Sequence, residues 1–210
     1  MTNAFQTVQE EYETLWDRQM VDVRAALAEG RVPERDNLLM PVGPETARLM
    51  HALVTGAGAT RVLDLGTSFG YSALWLADAV RTTGGTVFSV DLSAEKQAHA
   101  RSQLERVDLA QYVEFIQGEA VEVIGRLDGP FDFILLDLFA EAYIPSLDAL
   151  LPKLADSAVI LADNMLFPEF SAAEAAAYRA HVRSIAGMEA VLLPIGYGVD
   201  LARFSREKTR

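Results

Sequence analysis

The chain has 210 residues and a formal net charge of −12 at pH 7, which fits one α/β domain and disfavours nucleic acid or an anionic membrane as a partner. It has no cysteine, which excludes disulfides, thiolate metal sites and cysteine nucleophiles together. No signal peptide and no apolar run of about 18 residues is visible, so we expect a cytoplasmic protein that acts on a small molecule.

The first predicted element is a long amphipathic helix over residues 5–29. Apolar residues recur at helical spacing from Phe5 to Leu27, and Gly30 is placed to stop the helix. We expect this helix to cover a ligand as a lid, to form part of a dimer contact, or to pack on the domain's own core. A polar connection over residues 31–37 follows, and Pro44 then marks the first turn of a second helix.

Residues 61–77 join a buried strand, a glycine turn and a helix start without interruption. The strand covers residues 62–65, and Gly66 and Gly70 bracket the turn. Such a turn, followed by the unpaired N–H groups of a helix start, can hold a carboxylate, a phosphate or a ribose edge. The spacing Asp64-x-Gly66-x-x-x-Gly70 is neither the dinucleotide fingerprint nor a phosphate-binding P-loop, which favours a different nucleotide-like ligand.

The next strand, over residues 86–90, ends on Asp91. In a doubly wound sheet this position lies beside the first glycine turn, where a carboxylate can accept hydrogen bonds from both hydroxyls of a ribose. The alternative is that Asp91 only caps the helix that begins near Ser93. With the glycine turn upstream, we favour the ribose interpretation.

Strand and helix patterns alternate through the rest of the chain. The remaining predicted elements are a helix over 93–107, a strand over 113–117, a strand over 131–136, a helix over 143–154, a strand over 158–162, a helix over 171–185 and two strands around Gly196-Tyr197-Gly198. Two strands in direct succession cannot be joined by a right-handed crossover, so the last pair should be antiparallel. We therefore predict an α/β fold with a doubly wound, mostly parallel seven-stranded sheet and an antiparallel C-terminal hairpin.

Residues with functional side chains or tight turns gather where the predicted strands end, the edge at which such sheets bind ligands. These positions are Asp64, Asp91, Gly118, Asp137 and Asp163. Together with Asn164, two of them offer hard oxygen donors that suit Mg²⁺ or a similar divalent ion rather than zinc. The alternative is that Asp137 caps a helix while Asp163 and Asn164 make a turn.

Several motifs carry a family resemblance in combination. They are LDLGTSFGYSALWLA at 63–77, the strand end at Asp91, GEA at 118–120, the strand ending in Asp137 with Tyr143 six residues on, ADN at 162–164 and LPIGYG at 193–198. Together they resemble the small class I S-adenosylmethionine-dependent O-methyltransferases of the caffeoyl-CoA and catechol type. The resemblance covers residues 40–204. It implies a Rossmann-like methyltransferase fold.

The resemblance also implies roles for individual residues. Gly66, Thr67, Gly70 and Ser72 would hold the methionine end of S-adenosylmethionine, and Asp91 would hold its ribose. The cofactor-binding residues implied in full are Val42, Asp64, Gly66, Thr67, Gly70, Tyr71, Ser72, Asp91, Leu92, Gly118, Glu119, Ala120 and Asp137. The implied metal ligands are Asp137, Asp163 and Asn164. Residues 1–39 would be an N-terminal helical extension of a single domain, residues 40–210 its cofactor-binding core, and the protein a homodimer.

The chemistry implied is direct methyl transfer from a sulfonium to a phenolate oxygen, with two neighbouring hydroxyls held on the metal. A divalent cation lowers the pKa of a coordinated hydroxyl and orients it, and a water-poor pocket suits a reaction that neutralises two charges. Candidate walls for a small aromatic substrate are Trp16, Met40, Phe139, Phe167 and Tyr197, each with plain core packing as its alternative.

One position departs from the family pattern. Similar enzymes carry a lysine three residues after the first metal aspartate, and this chain has Ala140 there, with no lysine before Lys153. The histidines, His51, His99 and His181, fall in helical stretches, so no general base is assigned. Either metal coordination alone acidifies the substrate, or the acceptor is a nitrogen or carboxylate methylated without metal, or the protein binds cofactor with little or no turnover.

Overall fold

The structure, a computed structural model, describes residues 4–31 and 38–206. Its helices are α1 (Ala4–Ala28), α2 (Pro44–Ala57), α3 (Tyr71–Thr83), α4 (Ala94–Glu105), α5 (Ala120–Arg126), α6 (Tyr143–Leu150) and α7 (Ala172–Ser184). Its strands are β1 (Arg61–Leu65), β2 (Thr86–Asp91), β3 (Val113–Gln117), β4 (Phe131–Leu136), β5 (Leu154–Ala162), β6 (Met188–Leu193) and β7 (Val199–Phe204). The predicted connection over 31–37 falls, apart from Arg31, outside the described residues.

The strands form one seven-stranded sheet in the order β3-β2-β1-β4-β5-β7-β6. β1 to β5 pair in parallel, and β7 lies antiparallel between β5 and β6. The predicted doubly wound sheet and its antiparallel C-terminal pair are therefore confirmed. The strand order reverses between β1 and β4, which places the ligand crevice of such sheets at the carboxyl ends of these two strands.

Helices cover both faces of the sheet, so the central strands are apolar on both sides. In β4, Phe133 and Leu135 pack in one buried cluster with α2 and α3, while Ile134 and Leu136 pack in a second with α5, α6 and α7. All four side chains are almost completely buried. This double burial explains the uninterrupted apolar run of the strand.

The segment between α6 and β5 differs from the prediction. The helix ends at Leu150 rather than at residue 154, and the strand begins at Leu154 rather than at residue 158. Pro152 lacks the N–H that would continue the helix, and residues 151–153 form a single 3₁₀ turn instead. The pairing of β4 with β5 is irregular there, and this bulge accommodates the polar residues near the start of β5.

The N-terminal helix packs on the domain's own core. Val8 and Tyr12 are buried, and the Tyr12 hydroxyl donates to the carbonyl oxygen of Phe69 at 2.6 Å, in the glycine turn. In a second contact, the hydroxyl of Tyr71 in α3 donates to Glu13 of the N-terminal helix at 2.7 Å. Within the described residues, no helix is long and apolar enough to span a bilayer.

Candidate active site

The glycine turn after β1 is fixed by its own neighbours. The N–H groups of Gly66 and Thr67 both donate to the carbonyl of Val90, at 2.9 and 3.1 Å. Gly66 has a φ of 109°, and a Cβ there would lie 2.0 Å from the carbonyl oxygen of Asp137. This glycine is therefore needed for the approach of the chain after β4, a reason that the sequence did not indicate; its predicted contact with a cofactor stays a prediction.

The start of α3 keeps donors for a ligand. Its N-cap is Gly70, which has no side chain to accept from the first-turn N–H groups, and no side-chain cap hydrogen bond is found in the described part of the chain. A Cβ on Gly70 would lie 2.5 Å from the Cβ of Ala100, so this glycine too allows close packing, here against α4. The uncapped helix start faces the crevice and suits the anionic end of a ligand.

Asp91 lies beside the glycine turn, as the topology predicts. One carboxylate oxygen accepts the N–H of Ser68 at 2.8 Å, and the other accepts the N–H of Ser93 at 2.8 Å. The hydroxyl of Ser93 itself caps α4 by accepting the N–H of Lys96 at 3.2 Å, so helix capping does not explain Asp91. Each carboxylate oxygen retains a lone pair for a further donor.

Three predicted cofactor residues turn their side chains into the core beneath the turn. Thr67 Oγ1 lies 2.6 Å from Ser89 Oγ, and Asp64 Oδ2 accepts from Ser89 at 2.7 Å and from Ser72 at 3.2 Å. Asp64 is fully buried, and its Oδ1 has no hydrogen-bond partner in the described part of the chain. Burial raises the pKa of Asp64 to about 6. The hydrogen bonds among these buried side chains hold the glycine turn in position.

The remaining predicted cofactor residues lie around the crevice with different exposure. Val42 is buried, whereas Leu92 is 66% exposed just after β2. At the next strand end, Gly118 closely approaches α5, and the exposed Glu119 caps that helix by accepting a backbone N–H at 3.0 Å. Ala120 is buried in the first turn of the same helix.

The predicted metal ligands come together at the ends of β4 and β5, which pair in parallel. Asp163 is fully buried, and neither of its carboxylate oxygens has a hydrogen-bond partner in the described residues. Asn164, in the left-handed region with a φ of 60°, donates its Nδ2 to Asp137 Oδ1 at 2.8 Å. The hydroxyl of Tyr143 donates to the Asp163 carbonyl at 3.0 Å and so holds this turn in place.

The alternative in which Asp163 and Asn164 only make a turn does not explain why two carboxyl groups are buried together here. Burial raises the pKa of both carboxyls above the ordinary value; the charge of Asp64 adds to this at Asp137, and the charge of Asp137 adds to it at Asp163. Within residues 4–31 and 38–206, no group of three or more His, Cys, Asp or Glu side chains is placed to hold a metal, so the prediction of Asn164 as a third ligand stays a prediction. The orphaned oxygens of Asp163 and the all-oxygen donor set fit a hard cation such as Mg²⁺.

A cavity of about 370 Å³ opens on Asp137 and Asn164. All five predicted wall residues line it: Trp16, Met40, Phe139, Phe167 and Tyr197. The Tyr197 ring lies 6.3 Å from the Trp16 ring and 5.3 Å from the Phe167 ring, measured between centroids. The indole N–H of Trp16 donates to the Tyr197 hydroxyl at 3.1 Å, which links α1 to the C-terminal hairpin.

Sequence reasoning missed other residues of this cavity. Met20, Val23 and Leu27 line it from α1, on the same helical stripe as Trp16, and that spacing was visible in the sequence. Glu141 and Glu174 also line it. No local pattern marks Glu174, because only the fold brings α7 to this wall.

No lysine or histidine base lies among the described residues of the cavity wall. Ala140 lines the cavity, at the position where similar enzymes carry lysine. The amine of Lys153 instead donates to the carbonyls of Ile124, Gly125 and Leu127, at the end of α5. Lys153 is therefore a helix-capping residue.

The fold and site together define a methyltransferase domain, and the comparisons with known proteins agree. The family model for a methyltransferase domain matches residues 63–165, a stretch that holds both the glycine turn and the acidic pair. A solved structure of an O-methyltransferase from Bacillus cereus in complex with SAH has a TM-score of 0.75 and 24% identity, and covers 95% of this chain and 91% of that one.

Curated relatives give the family. A probable O-methyltransferase of Mycobacterium tuberculosis is 31% identical over 163 residues, 72% of this chain and 67% of that protein. A catechol O-methyltransferase of Niastella koreensis is 27% identical over 145 residues, 67% of this chain and 63% of that protein. The chain belongs to the S-adenosylmethionine-dependent O-methyltransferase family. The chain spans between about half and two thirds of the length of the curated relatives it matches, from 53% to 67%.

Proposed function

We propose that this protein transfers a methyl group from S-adenosylmethionine to a hydroxyl of a small catechol-like aromatic compound, assisted by a divalent cation such as Mg²⁺. The observation that carries the proposal is that the aromatic cavity lies directly beside the glycine turn. The aromatic cavity opens on Asp137, whose backbone packs against Gly66 in the glycine turn. An acceptor in the cavity would therefore lie next to a ligand held at the turn.

The crevice beside β1 would hold the cofactor. Asp91 would accept hydrogen bonds from the ribose hydroxyls with its remaining lone pairs, while its present bonds to Ser68 and Ser93 keep the carboxylate in position. The uncapped start of α3 would bind the carboxylate of the methionine part. Glu119 and Ala120 would lie near the adenine. When bound, S-adenosylmethionine supplies an electrophilic methyl group on a sulfonium.

The acidic pair would hold the cation. Asp163 offers two buried oxygens that nothing in the described chain satisfies, and Asn164 keeps the Asp137 carboxylate in place through its amide N–H. When bound, Mg²⁺ lowers the pKa of a coordinated hydroxyl. Tyr143 would keep the Asp163 turn fixed through its hydrogen bond to the backbone.

The cavity walls would favour the transfer by excluding water. The phenolate and the sulfonium neutralise each other as they react, so an apolar surrounding does not oppose the reaction. Trp16, Phe167 and Tyr197 supply that surrounding, and their mutual ring contacts fix the shape of the cavity. Ordered walls also keep the acceptor oriented toward the crevice.

The test is transfer of labelled methyl from S-adenosylmethionine to a panel of vicinal diphenols, with Mg²⁺ and with a chelator. We expect metal-dependent transfer, and we expect Asp163→Ala to abolish the response to Mg²⁺ while leaving cofactor affinity nearly intact. Asp156→Ala is the matched control, because Asp156 is an exposed residue of the same strand, far from the acidic pair.

Two results would contradict the proposal. If a nitrogen or carboxylate acceptor is methylated at the same rate with and without the chelator, the fold carries out a different reaction. Cofactor binding without transfer to any acceptor would show a binding protein, in line with the missing lysine at Ala140. The proposal includes a homodimer, which sedimentation velocity would test directly.

A further inference from the structure

We propose that the acceptor cavity selects its substrate by charge, accepting aromatic hydroxyl compounds that are neutral or carry an amine and rejecting acids and coenzyme A thioesters. The cavity in question is the one lined by Trp16, Phe167 and Tyr197. This inference rests on the proposed function, because it specifies which acceptors reach the same site.

The charged side chains of the cavity wall all have one sign. They are Asp137, Glu141 and Glu174, and no Lys, Arg or His stands among the wall residues of the described chain. Arg24 acts on the Tyr197 hydroxyl from α1, but Asp17 on the same helix opposes it, and neither belongs to the wall. The cation of the proposed function would be balanced by Asp137 and Asp163, so an acceptor with a carboxylate or phosphate would meet the like charges of Glu141 and Glu174 without a compensating cationic side chain.

The two glutamates approach from separate elements. Glu141 lies in the 3₁₀ turn Ala140–Ala142 that follows β4, one residue after the position at which similar enzymes carry lysine. Glu174 lies in the first turn of α7. Both are exposed at the cavity mouth, and neither forms an ion pair with any residue in the described ranges. Their negative charge is available to an incoming acceptor.

The aromatic walls favour the same class of acceptor. The face of an aromatic ring attracts an ammonium group within about 6 Å of its centroid, most strongly for tryptophan and tyrosine. Trp16, Phe167 and Tyr197 all line the cavity and are clustered with centroid separations of 5.3 and 6.3 Å, so an amine in the cavity would lie close to several aromatic rings. The rings and the glutamates therefore both favour an acceptor that carries an amine.

The size of the cavity limits the acceptor to a compact molecule. Its volume of about 370 Å³ is close to the lower end of the usual range for small-molecule pockets, roughly 300 to 1,000 Å³. A single ring with a short side chain fits such a volume. A coenzyme A thioester would have to leave its phosphates at the acidic mouth beside Glu141 and Glu174.

The test compares three vicinal diphenols with the same ring and a two-carbon side chain that ends in an amine, a hydroxyl or a carboxylate. They are 3,4-dihydroxyphenylethylamine, 3,4-dihydroxyphenylethanol and 3,4-dihydroxyphenylacetate. We expect kcat/KM to fall in that order, with about tenfold between the amine and the acid, since exposed charge pairs each contribute a few-fold. In the double variant Glu141→Gln with Glu174→Gln, the ratio of amine to acid should fall by about threefold or more.

The control is Glu114→Gln, which removes the same charge from an exposed position on β3. This variant should keep the ratio of the parent protein. Equal kcat/KM for the amine and the acid would overturn the inference, while methylation of the neutral diphenol would still support the proposed function. A ratio that the double variant does not change would overturn the role of the two glutamates. Failure of all three diphenols would overturn the proposed function, and this inference with it.

Discussion

Replacement of Gly66 by alanine tests how closely the end of β1 is held against the end of β4. The backbone of Gly66 has a φ of 109°, and an alanine Cβ would lie 2.0 Å from the carbonyl oxygen of Asp137 and 3.0 Å from its carbonyl carbon. Both contacts are to backbone, so no side-chain rotation relieves them. The two strand ends must move apart.

The magnitude follows from three contributions. A left-handed backbone costs a non-glycine residue about 1–2 kcal/mol, and forcing extra volume into a packed region costs a further 1–3 kcal/mol or so. Separation of the strands also weakens the hydrogen bond from the Asp137 N–H to the Leu65 carbonyl, now 2.9 Å and worth about 1 kcal/mol net. We expect Gly66→Ala to lower the free energy of unfolding by about 3–6 kcal/mol.

Urea denaturation followed by circular dichroism measures this change through the midpoint. Gly125→Ala is the matched control, because Gly125 lies in α5 and a Cβ there meets nothing within 4 Å. The control should be neutral or gain up to about 1 kcal/mol from helix propensity. A loss under about 1 kcal/mol for Gly66→Ala would refute the argument that the chain after β4 requires a glycine here.

Two further predictions concern the buried and half-buried aspartates. Asp91→Ala should weaken S-adenosylmethionine binding by about 2 kcal/mol, roughly thirtyfold, because charge-assisted hydrogen bonds to the ribose are lost; unchanged affinity by titration calorimetry would exclude the ribose role. Burial raises the pKa of Asp64 from 3.8 to about 6, so the folded protein binds this proton more tightly than the unfolded chain, and stability should fall as pH rises from about 4 to about 6.5. Asp64→Asn should flatten that decline by about 2 kcal/mol in urea titrations across this range; an identical decline in both proteins would show that Asp64 does not carry it.

The fold was predictable because local patterns and topology rules agree. Apolar strands alternate with amphipathic helices as far as α7, and the sequence around Gly196 and Gly198 marks the reversal that places β7 antiparallel to its neighbours. The boundary that failed, between α6 and β5, lies at Pro152. There the pairing of Leu154 with Phe131 on the neighbouring strand β4 extends β5 beyond its apolar part.

The site was predictable where strand ends determine position. Asp137 and Asp163 meet because β4 and β5 are paired neighbours, an arrangement that the sequence allowed and the structure shows. The reason for Gly66 was not predictable, since it depends on the path of a chain segment some seventy residues away. Glu174 was also beyond sequence reasoning, because nothing in α7 itself shows which wall its first turn will reach.

The buried carboxyls of the free protein connect its stability with its proposed function. Asp64, Asp137 and Asp163 lie within one end of the sheet, where burial disfavours their ionised forms. A cation bound by Asp163 and Asp137 would offset the cost of ionising these buried carboxyls. Its binding would therefore stabilise the fold as well as position the acceptor hydroxyl. The arrangement that weakens the free protein is therefore the arrangement that the proposed reaction requires.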